Sequence, residues 1–118
     1  MIAVIFEARV SGEAQAEYLD LAAKLKPLLS ELDGFIFIKR FQSVTNTSKM
    51  LSLSFWRDES AVAAWRNLPD HRRVQAAGRD HVFTDYHLCI AAIMRDYSMS
   101  SRNEVPPDSR TFHKEATD

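Results

Sequence analysis

One stretch of this sequence holds several side chains that could carry out acid–base chemistry on a small organic molecule. Imidazole titrates near neutral pH and can act as a general base. A phenol hydroxyl or a guanidinium group can hold an oxygen on which negative charge develops. The candidate catalytic residues of this kind are His71, His81, Tyr86 and Arg79.

A tryptophan and three small or apolar positions lie within the same stretch. An indole buries a large area and keeps one polar N–H group, so Trp65 could form a wall of an apolar pocket. A glycine inside a helix costs about 1 kcal/mol relative to alanine, so Gly78 indicates a close approach to the sheet or to a ligand. The predicted substrate-binding residues are Trp65, Val74, Gly78 and Val82.

Each of these residues also has a purely structural interpretation. Trp65 could join a helix to the sheet in the core, and Trp56, at the end of a predicted strand, is better explained as structural. His71 could be a surface residue in the first turn of its helix. Arg79 could pair with a neighbouring aspartate at the surface. The sequence leaves both interpretations open.

Alternating side chains predict the strands that must position these residues. Aromatic, β-branched and other apolar residues alternate over short runs that are bounded by glycine, by polar loops or by charged pairs. The polar run over residues 43–49 predicts a hairpin loop. The predicted strands cover residues 2–10, 35–42, 49 or 50 to 56, and 87–97.

Helical spacing predicts the remaining elements. Apolar residues recur at helical intervals after a possible cap at Ser11, with Pro27 expected to kink or split that helix and Gly34 expected to end it. A short helix over residues 59–67 should be capped by Asp58. Another should begin at Pro69 and run to about residue 86, which would place Val74, Gly78, His81, Val82 and Tyr86 near one helical face.

Length and composition indicate an ordinary globular domain. The chain has 118 residues, of which 46% are hydrophobic and 26% charged, values that suit one domain. A net charge of −1 without a basic patch argues against nucleic acid as a partner. We find no membrane span, no N-terminal leader and only one cysteine, Cys89, so we expect a cytoplasmic protein without an intrachain disulfide.

The sequence shows no motif for a metal ion or a nucleotide cofactor. His71 and His81 stand ten residues apart and have no cysteine or carboxylate cluster at a recognised ligand spacing. The three glycines, Gly12, Gly34 and Gly78, form neither a phosphate loop nor a dinucleotide fingerprint. We therefore expect no cofactor and no bound metal.

Several short motifs together resemble the antibiotic biosynthesis monooxygenase family. The resemblance covers residues 1–98, which would form the domain, and leaves residues 99–118 as a polar C-terminal tail. It implies an α+β, ferredoxin-like fold, a four-stranded antiparallel sheet with helices on one face, which pairs into a dimeric α+β barrel. The motifs are Phe55-Trp56-Arg57-Asp58, Ala64-Trp65-Arg66, His71-Arg72, Gly78-Arg79 and Asp85-Tyr86.

The sheet face without helices should form an interface between two subunits. Alternate positions of the predicted strands are apolar on both sides, so the uncovered face would expose an apolar patch. Closed two-fold dimers bury such patches most simply. We expect a homodimer through the sheet faces, and expect a charge at Ile38 or Ile90, whichever faces away from the helices, to disrupt it.

The resemblance implies three functional hypotheses. The first is a cofactor-independent monooxygenase that oxidises a small planar phenol, quinol or anthrone-like aromatic with O₂. The second is a module that binds a small aromatic ligand without turnover, because Ala61 stands where polyketide-pathway relatives carry an asparagine. The third, haem degradation, is disfavoured because the first strand has no asparagine and Gln75 replaces the expected histidine.

Overall fold

The computed structural model describes residues 1–114 of the chain. The element order confirms the predicted ferredoxin-like α+β fold. A π-helical turn, Gly78–Val82, joins the third helix to the last strand. The elements are β1 (Ile2–Val10), α1 (Gln15–Ser30), β2 (Phe35–Gln42), β3 (Lys49–Trp56), α2 (Glu59–Arg66), α3 (Pro69–Ala77), β4 (Phe83–Ala92) and α4 (Pro107–Phe112).

The four strands form one antiparallel sheet in the order β2-β3-β1-β4. We call the face against which α1 and α2 pack the inner face and the opposite face the outer face. Strand register places two rows of side chains across the inner face. The rows are Ile38–Ser54–Val4–Ile90 and Arg40–Ser52–Phe6–Leu88.

The core between the helices and the inner face has two parts. The Tyr18 cluster contains Ala8, Val10, Ala14, Tyr18 and Val82. The Trp56 cluster contains Leu29, Trp56, Ala61 and Val62. Trp56 is fully buried and donates its indole N–H to the Ser54 hydroxyl at 2.9 Å, which confirms its structural role.

The prediction of one helix from Pro69 to Tyr86 is wrong. The α-helix ends at Ala77, and the backbone is extended from Phe83 because β4 pairs with the full length of β1. The last strand thus begins four residues before the predicted start at His87. Tyr86 lies on this strand, opposite Ala8, and shares no helical face with Val74. Tertiary pairing overrides the local helical pattern here.

The first helix also differs from expectation. It begins after Ala14, which provides no side-chain cap, so the predicted capping by Ser11 is wrong. Pro27 lies inside the helix without splitting it, since Leu25 and Leu29 on either side anchor it to the core. Gly34 has a φ of +89° and lies directly before β2, where an added Cβ would stand 2.6 Å from the Ala61 Cβ.

The second helix begins as predicted. The Asp58 carboxylate accepts a hydrogen bond from the Ala61 N–H at 2.9 Å, and Pro69 occupies the first turn of α3.

None of the helices formed by residues 1–114 is long and apolar enough to cross a membrane.

Part of the segment predicted as a polar tail has regular structure. Residues 107–112 form the short helix α4, and Val105 before it is buried. Composition did not indicate either feature. Residues 115–118 lie outside the described residues, and the division into a domain of residues 1–98 and a tail remains a prediction.

Candidate functional site

A cavity of about 200 Å³ lies between the helices and the inner face of the sheet. It separates the two parts of the core, since its walls include residues that pack on each. From the Tyr18 cluster and its neighbours come Phe6, Tyr18, Leu21 and Phe83, and from the Trp56 cluster and its neighbours come Val4, Ile38, Val62 and Trp65. The arrangement thus places a small, mostly apolar space at the centre of the domain.

Trp65 and His71 form a stacked pair in the cavity wall. Their ring centroids are 4.3 Å apart with an angle of 25° between the planes. The Trp65 indole also stacks on the buried Trp56, with centroids 6.3 Å apart. Trp65 belongs to α2 and His71 to the first turn of α3. The turn between these two helices, which ends at Pro69, therefore sets the geometry of the stacked pair. The fully buried Trp56 therefore helps to orient Trp65, and Trp65 helps to orient His71.

The environment of His71 keeps its imidazole neutral. Burial lowers the pKa of His71 below its ordinary value of 6.5, and the nearby main chain of Arg66 and Trp65 offsets this only in part. The positive charge of Arg72 lowers the pKa further. The Nδ1 atom is shielded from solvent and makes no hydrogen bond within residues 1–114. A neutral imidazole in a cavity wall can accept a proton through a ring nitrogen that a ligand reaches, and the shielded Nδ1 is not that atom.

A second aromatic group borders the cavity from β1, α1 and β4. Phe83 packs edge-on against Phe6 and Tyr18, with centroids 5.3 Å and 5.8 Å apart. The ring centroid of Tyr86 lies 6.0 Å from that of Phe6. Tyr86 lines the cavity, and 45% of its surface is exposed. Its ring thus forms part of the wall on the open edge of the sheet.

Val74, Gly78 and Arg79, three of the candidate site residues, line the cavity. Because Gly78 has no side chain, the Phe83 ring on β4 can pack closely against it. An added Cβ would lie 2.5 Å from a ring carbon of Phe83. Arg79 is exposed and forms no ion pair within the described chain. The π-helical turn that begins at Gly78 positions Arg79, and such turns are frequent at functional sites.

The structure does not place His81 and Val82 at the cavity. The His81 ring lies on the surface and bonds to Glu17 at 2.6 Å and to Asp80 at 3.2 Å. These two carboxylates accept hydrogen bonds from the imidazole ring, which raises the pKa of His81. Val82 is buried in the Tyr18 cluster. The π-helical turn rotates both side chains away from the face that a continuous α-helix would have given them.

Sequence reasoning missed the side chains that the sheet contributes. Arg40, Ser52 and Ser54 lie on the inner face and line the cavity. The Nε atom of Arg40 is shielded and has no hydrogen-bond partner within residues 1–114. One available signal was the position of Arg40 two residues after Ile38, which places both side chains on the same side of the strand.

The described residues contain no group of three or more histidine, cysteine, aspartate or glutamate side chains that could hold a metal ion. The polar groups at the cavity are instead imidazole, guanidinium, hydroxyl and amide. Such groups can bind an organic molecule and hold or move a proton.

The family model for antibiotic biosynthesis monooxygenase matches residues 1–77. This chain belongs to the antibiotic biosynthesis monooxygenase family. The matched region includes β1, α1, β2, β3, α2 and α3, and with them the Trp65–His71 pair. The resemblance seen in the sequence motifs is thus confirmed.

One similar member is a protein of Pyricularia oryzae named jasmonate monooxygenase ABM. It is 43% identical to this chain over 93 residues, which cover 79% of this chain and 43% of that protein. The chain therefore spans less than half the length of this relative.

Two solved structures of distant sequence share the fold. Rv0793 from Mycobacterium tuberculosis aligns with a TM-score of 0.74 at 16% identity, over 82% of this chain and 98% of that one. A mutant of SnoaB, a cofactor-independent oxygenase from Streptomyces nogalater, aligns with a TM-score of 0.71 at 14% identity, over 80% and 94%. These similarities establish the architecture of the family member described here.

Proposed function

We propose that this protein is a cofactor-independent monooxygenase that oxidises a small planar phenol or quinol with O₂ in the central cavity. The observation that carries the proposal is the stacked Trp65–His71 pair, which places an imidazole of lowered pKa in the wall of a mostly apolar cavity. The description of SnoaB as a cofactor-independent oxygenase supports the same chemistry.

The reaction needs electrons that the substrate itself can provide. A phenol with a free para carbon loses its hydroxyl proton to His71, and the phenolate passes an electron to O₂. The resulting radical pair combines into a ring hydroperoxide, which loses water to give a para-quinone. One oxygen atom enters the product and the other leaves as water, and all four electrons come from the ring.

The chain's own groups have distinct roles in this scheme. His71 takes the phenol proton, and Tyr86 or Arg79 holds the oxygen on which charge develops. The role proposed for Trp65 changes, because its indole already stacks on His71. Trp65 is therefore a positioning residue for the base as well as part of the wall. His81, bonded to Glu17 and Asp80, takes no part.

The size of the cavity favours small substrates. Its volume of about 200 Å³ is below the roughly 300–1,000 Å³ of pockets for drug-sized ligands. One or two rings fit this space better than the three rings of an anthrone. The name of the Pyricularia oryzae relative makes jasmonate a second substrate to assay.

Oxygen uptake by chelator-treated protein tests the proposal. With a panel of naphthols and other phenols whose para carbon is free, the wild type should consume one O₂ for each quinone formed and release no H₂O₂. His71→Asn should lower kcat by about 10²–10⁴-fold, the usual contribution of a general base. Trp65→Phe should preserve more activity than Trp65→Ala, since a ring remains to stack on His71. His81→Asn is the matched control and should leave the rate unchanged.

A binding module without turnover is the alternative, and one observation favours it. Ala61 is buried in the Trp56 cluster, so its position supplies no polar partner to a substrate. This alternative predicts saturable quenching of tryptophan fluorescence by naphthols that are recovered unchanged. Absence of oxygen uptake across the panel would favour it over the monooxygenase, and oxidised product would eliminate it.

A further inference from the structure

Arg40, which forms no ion pair with any of residues 1–114, places a positive charge on the inner face of the sheet, within the cavity wall. Arg40 stands in β2 directly opposite Ser52, and its side chain lines the cavity. Its Nε atom is shielded from solvent and has no acceptor within residues 1–114. A shielded cationic N–H without an acceptor costs free energy. The terminal guanidinium nitrogens of Arg40 are not among the shielded atoms that lack a partner, so they are the groups through which Arg40 could bind an acceptor that arrives with a ligand.

The fixed charges around the cavity all have the same sign. Arg66 and Arg79 line it together with Arg40, and none of the three has an ion-pair partner in the described part of the chain. The residues that line the cavity include no aspartate or glutamate. Arg66 and Arg79 are exposed, so solvent screens their charges, and the half-buried Arg40 is the main source of positive potential within the cavity. A positive potential in a largely apolar space attracts anions.

Arg40 and His71 approach the cavity from different layers. Arg40 belongs to the sheet, whereas His71 belongs to the helical layer and stacks on Trp65. A ring between the two layers could present one polar group to each. The hydroxyl that loses its proton would face His71, and an acid group would face Arg40.

We propose that the substrate is a small ring carboxylate and that Arg40 binds its carboxylate group. This inference rests on the proposed function, because it names an acid group of the molecule that the cavity oxidises. A carboxylate is charged at neutral pH before any proton transfer, and its two oxygens match the fork of a guanidinium. A phenolate forms only after His71 acts and offers a single oxygen, so it matches a permanently unpaired arginine less well.

Binding of three naphthalene derivatives in the absence of oxygen tests this assignment without turnover. Calorimetry should show that wild-type protein binds naphthoate about tenfold or more tightly than naphthamide, as expected for a hydrogen-bonded charge pair. Arg40→Met should remove this preference, and Arg40→Lys should retain part of it. Arg73→Met is the matched control, because Arg73 on α3 pairs with Asp70 and does not line the cavity. Naphthol is the third ligand.

Each outcome decides the assignment. Equal affinity of the wild type for naphthoate and naphthamide would overturn it, as would a preference that survives Arg40→Met. If only naphthol binding depends on Arg40, the residue holds a phenolate and the carboxylate assignment fails. If Arg40→Met does not fold, the ligand comparison in the wild type and in Arg40→Lys decides instead.

The monooxygenase proposal fails by a different readout. Arg40-dependent binding of naphthoate without oxygen uptake from any phenol would contradict the proposed reaction and leave the anion site standing. Oxygen uptake with neutral naphthols, combined with no preference for naphthoate over naphthamide, would support the proposed reaction and contradict the anion site.

Discussion

The inner face of the sheet carries Arg40, Ser52 and Ser54 near its centre, whereas the outer face carries Ile5 and Leu53 at the same level. The polar groups thus point towards the interior and the apolar ones away from it. A domain that needed only to be stable as a monomer would have the opposite arrangement. The difference indicates that the interior is adapted to hold a ligand and that the outer face is adapted to be covered.

The outer face is mostly apolar, with acidic, basic and imidazole side chains confined to Lys39, Glu7 and His87 in its three outward rows. Phe37 stacks on Phe55 with ring centroids 4.6 Å apart, and Phe41 is 48% exposed. Strand register aligns three outward rows: Phe37–Phe55–Ala3–Ala91, Lys39–Leu53–Ile5–Cys89 and Phe41–Leu51–Glu7–His87. We propose that a second copy of the chain covers this face and forms the homodimer expected from the sequence.

The largest expected effect comes from a charge on the outer face. Leu53→Glu should raise the dimer dissociation constant by at least about 100-fold, because burying a leucine contributes roughly 1.5–3 kcal/mol and a buried charge adds a further penalty. Sedimentation velocity measures this change. Leu19→Glu is the matched control, since Leu19 is 51% exposed on α1. A compact wild-type monomer at micromolar concentration would contradict the dimer.

The expectation that a charge at Ile38 or Ile90 would disrupt the dimer is wrong. Ile38 and Ile90 both lie on the inner face and line the cavity. A charge at either would alter the site and leave the outer face unchanged, so Leu53 replaces them.

The second-largest expected effect is a loss of stability on substitution of Gly78, which lies in the wall between the cavity and the Tyr18 cluster. Gly78→Ala would place a methyl group 2.5 Å from the Phe83 ring, and crowding of this kind typically costs about 1–3 kcal/mol. Chemical denaturation should show the loss of stability. Gly12→Ala is the control, because an added Cβ there has no atom within 4 Å. Equal stability of the two variants would show that Phe83 moves aside freely.

The smallest effect separates the buried and surface histidines by their titration. NMR should show His71 titrating below 6.5 and His81 above it, since burial disfavours the charge of His71 whereas Glu17 and Asp80 favour that of His81. The pKa of His71 is lower in the folded protein than its ordinary value of 6.5, so the free energy of unfolding should decrease as the pH falls below 6.5. The stability from His81 is complete below 6.5 and is lost as pH rises through its raised pKa. Identical titration of both rings would remove the basis for treating His71 as a poised base.

Much of the fold could be predicted because local signals agree with it. Alternation bounded by Gly34 and Asp58 located β2 and β3, and Asp58 and Pro69 marked the starts of two helices correctly. The start of β4 could not be predicted, because its register depends on pairing with β1. The helical pattern before it, with a glycine at its end, gave no sign of a π-helical turn.

The site could be predicted only where a residue type is itself informative. Trp65 and His71 stand out by their chemistry, and both line the cavity. Arg40 did not stand out, because both sides of β2 are apolar and a register shift between Phe35 and Phe37 interrupts the alternation. Phe35 therefore packs on the inward-facing Trp56 while Phe37 faces outward. Which side Arg40 takes is decided by that shift.

The central claim, that the cavity on the inner face performs cofactor-independent monooxygenation, is tested most directly with isotopically labelled oxygen gas. Chelator-treated protein would be mixed with naphthol, and the quinone would be reduced at once to prevent exchange with water. We expect one labelled oxygen atom in each product molecule, with product formation strongly reduced by His71→Asn and unaffected by His81→Asn. Unlabelled product, or no product from a folded protein that binds naphthol, would contradict it.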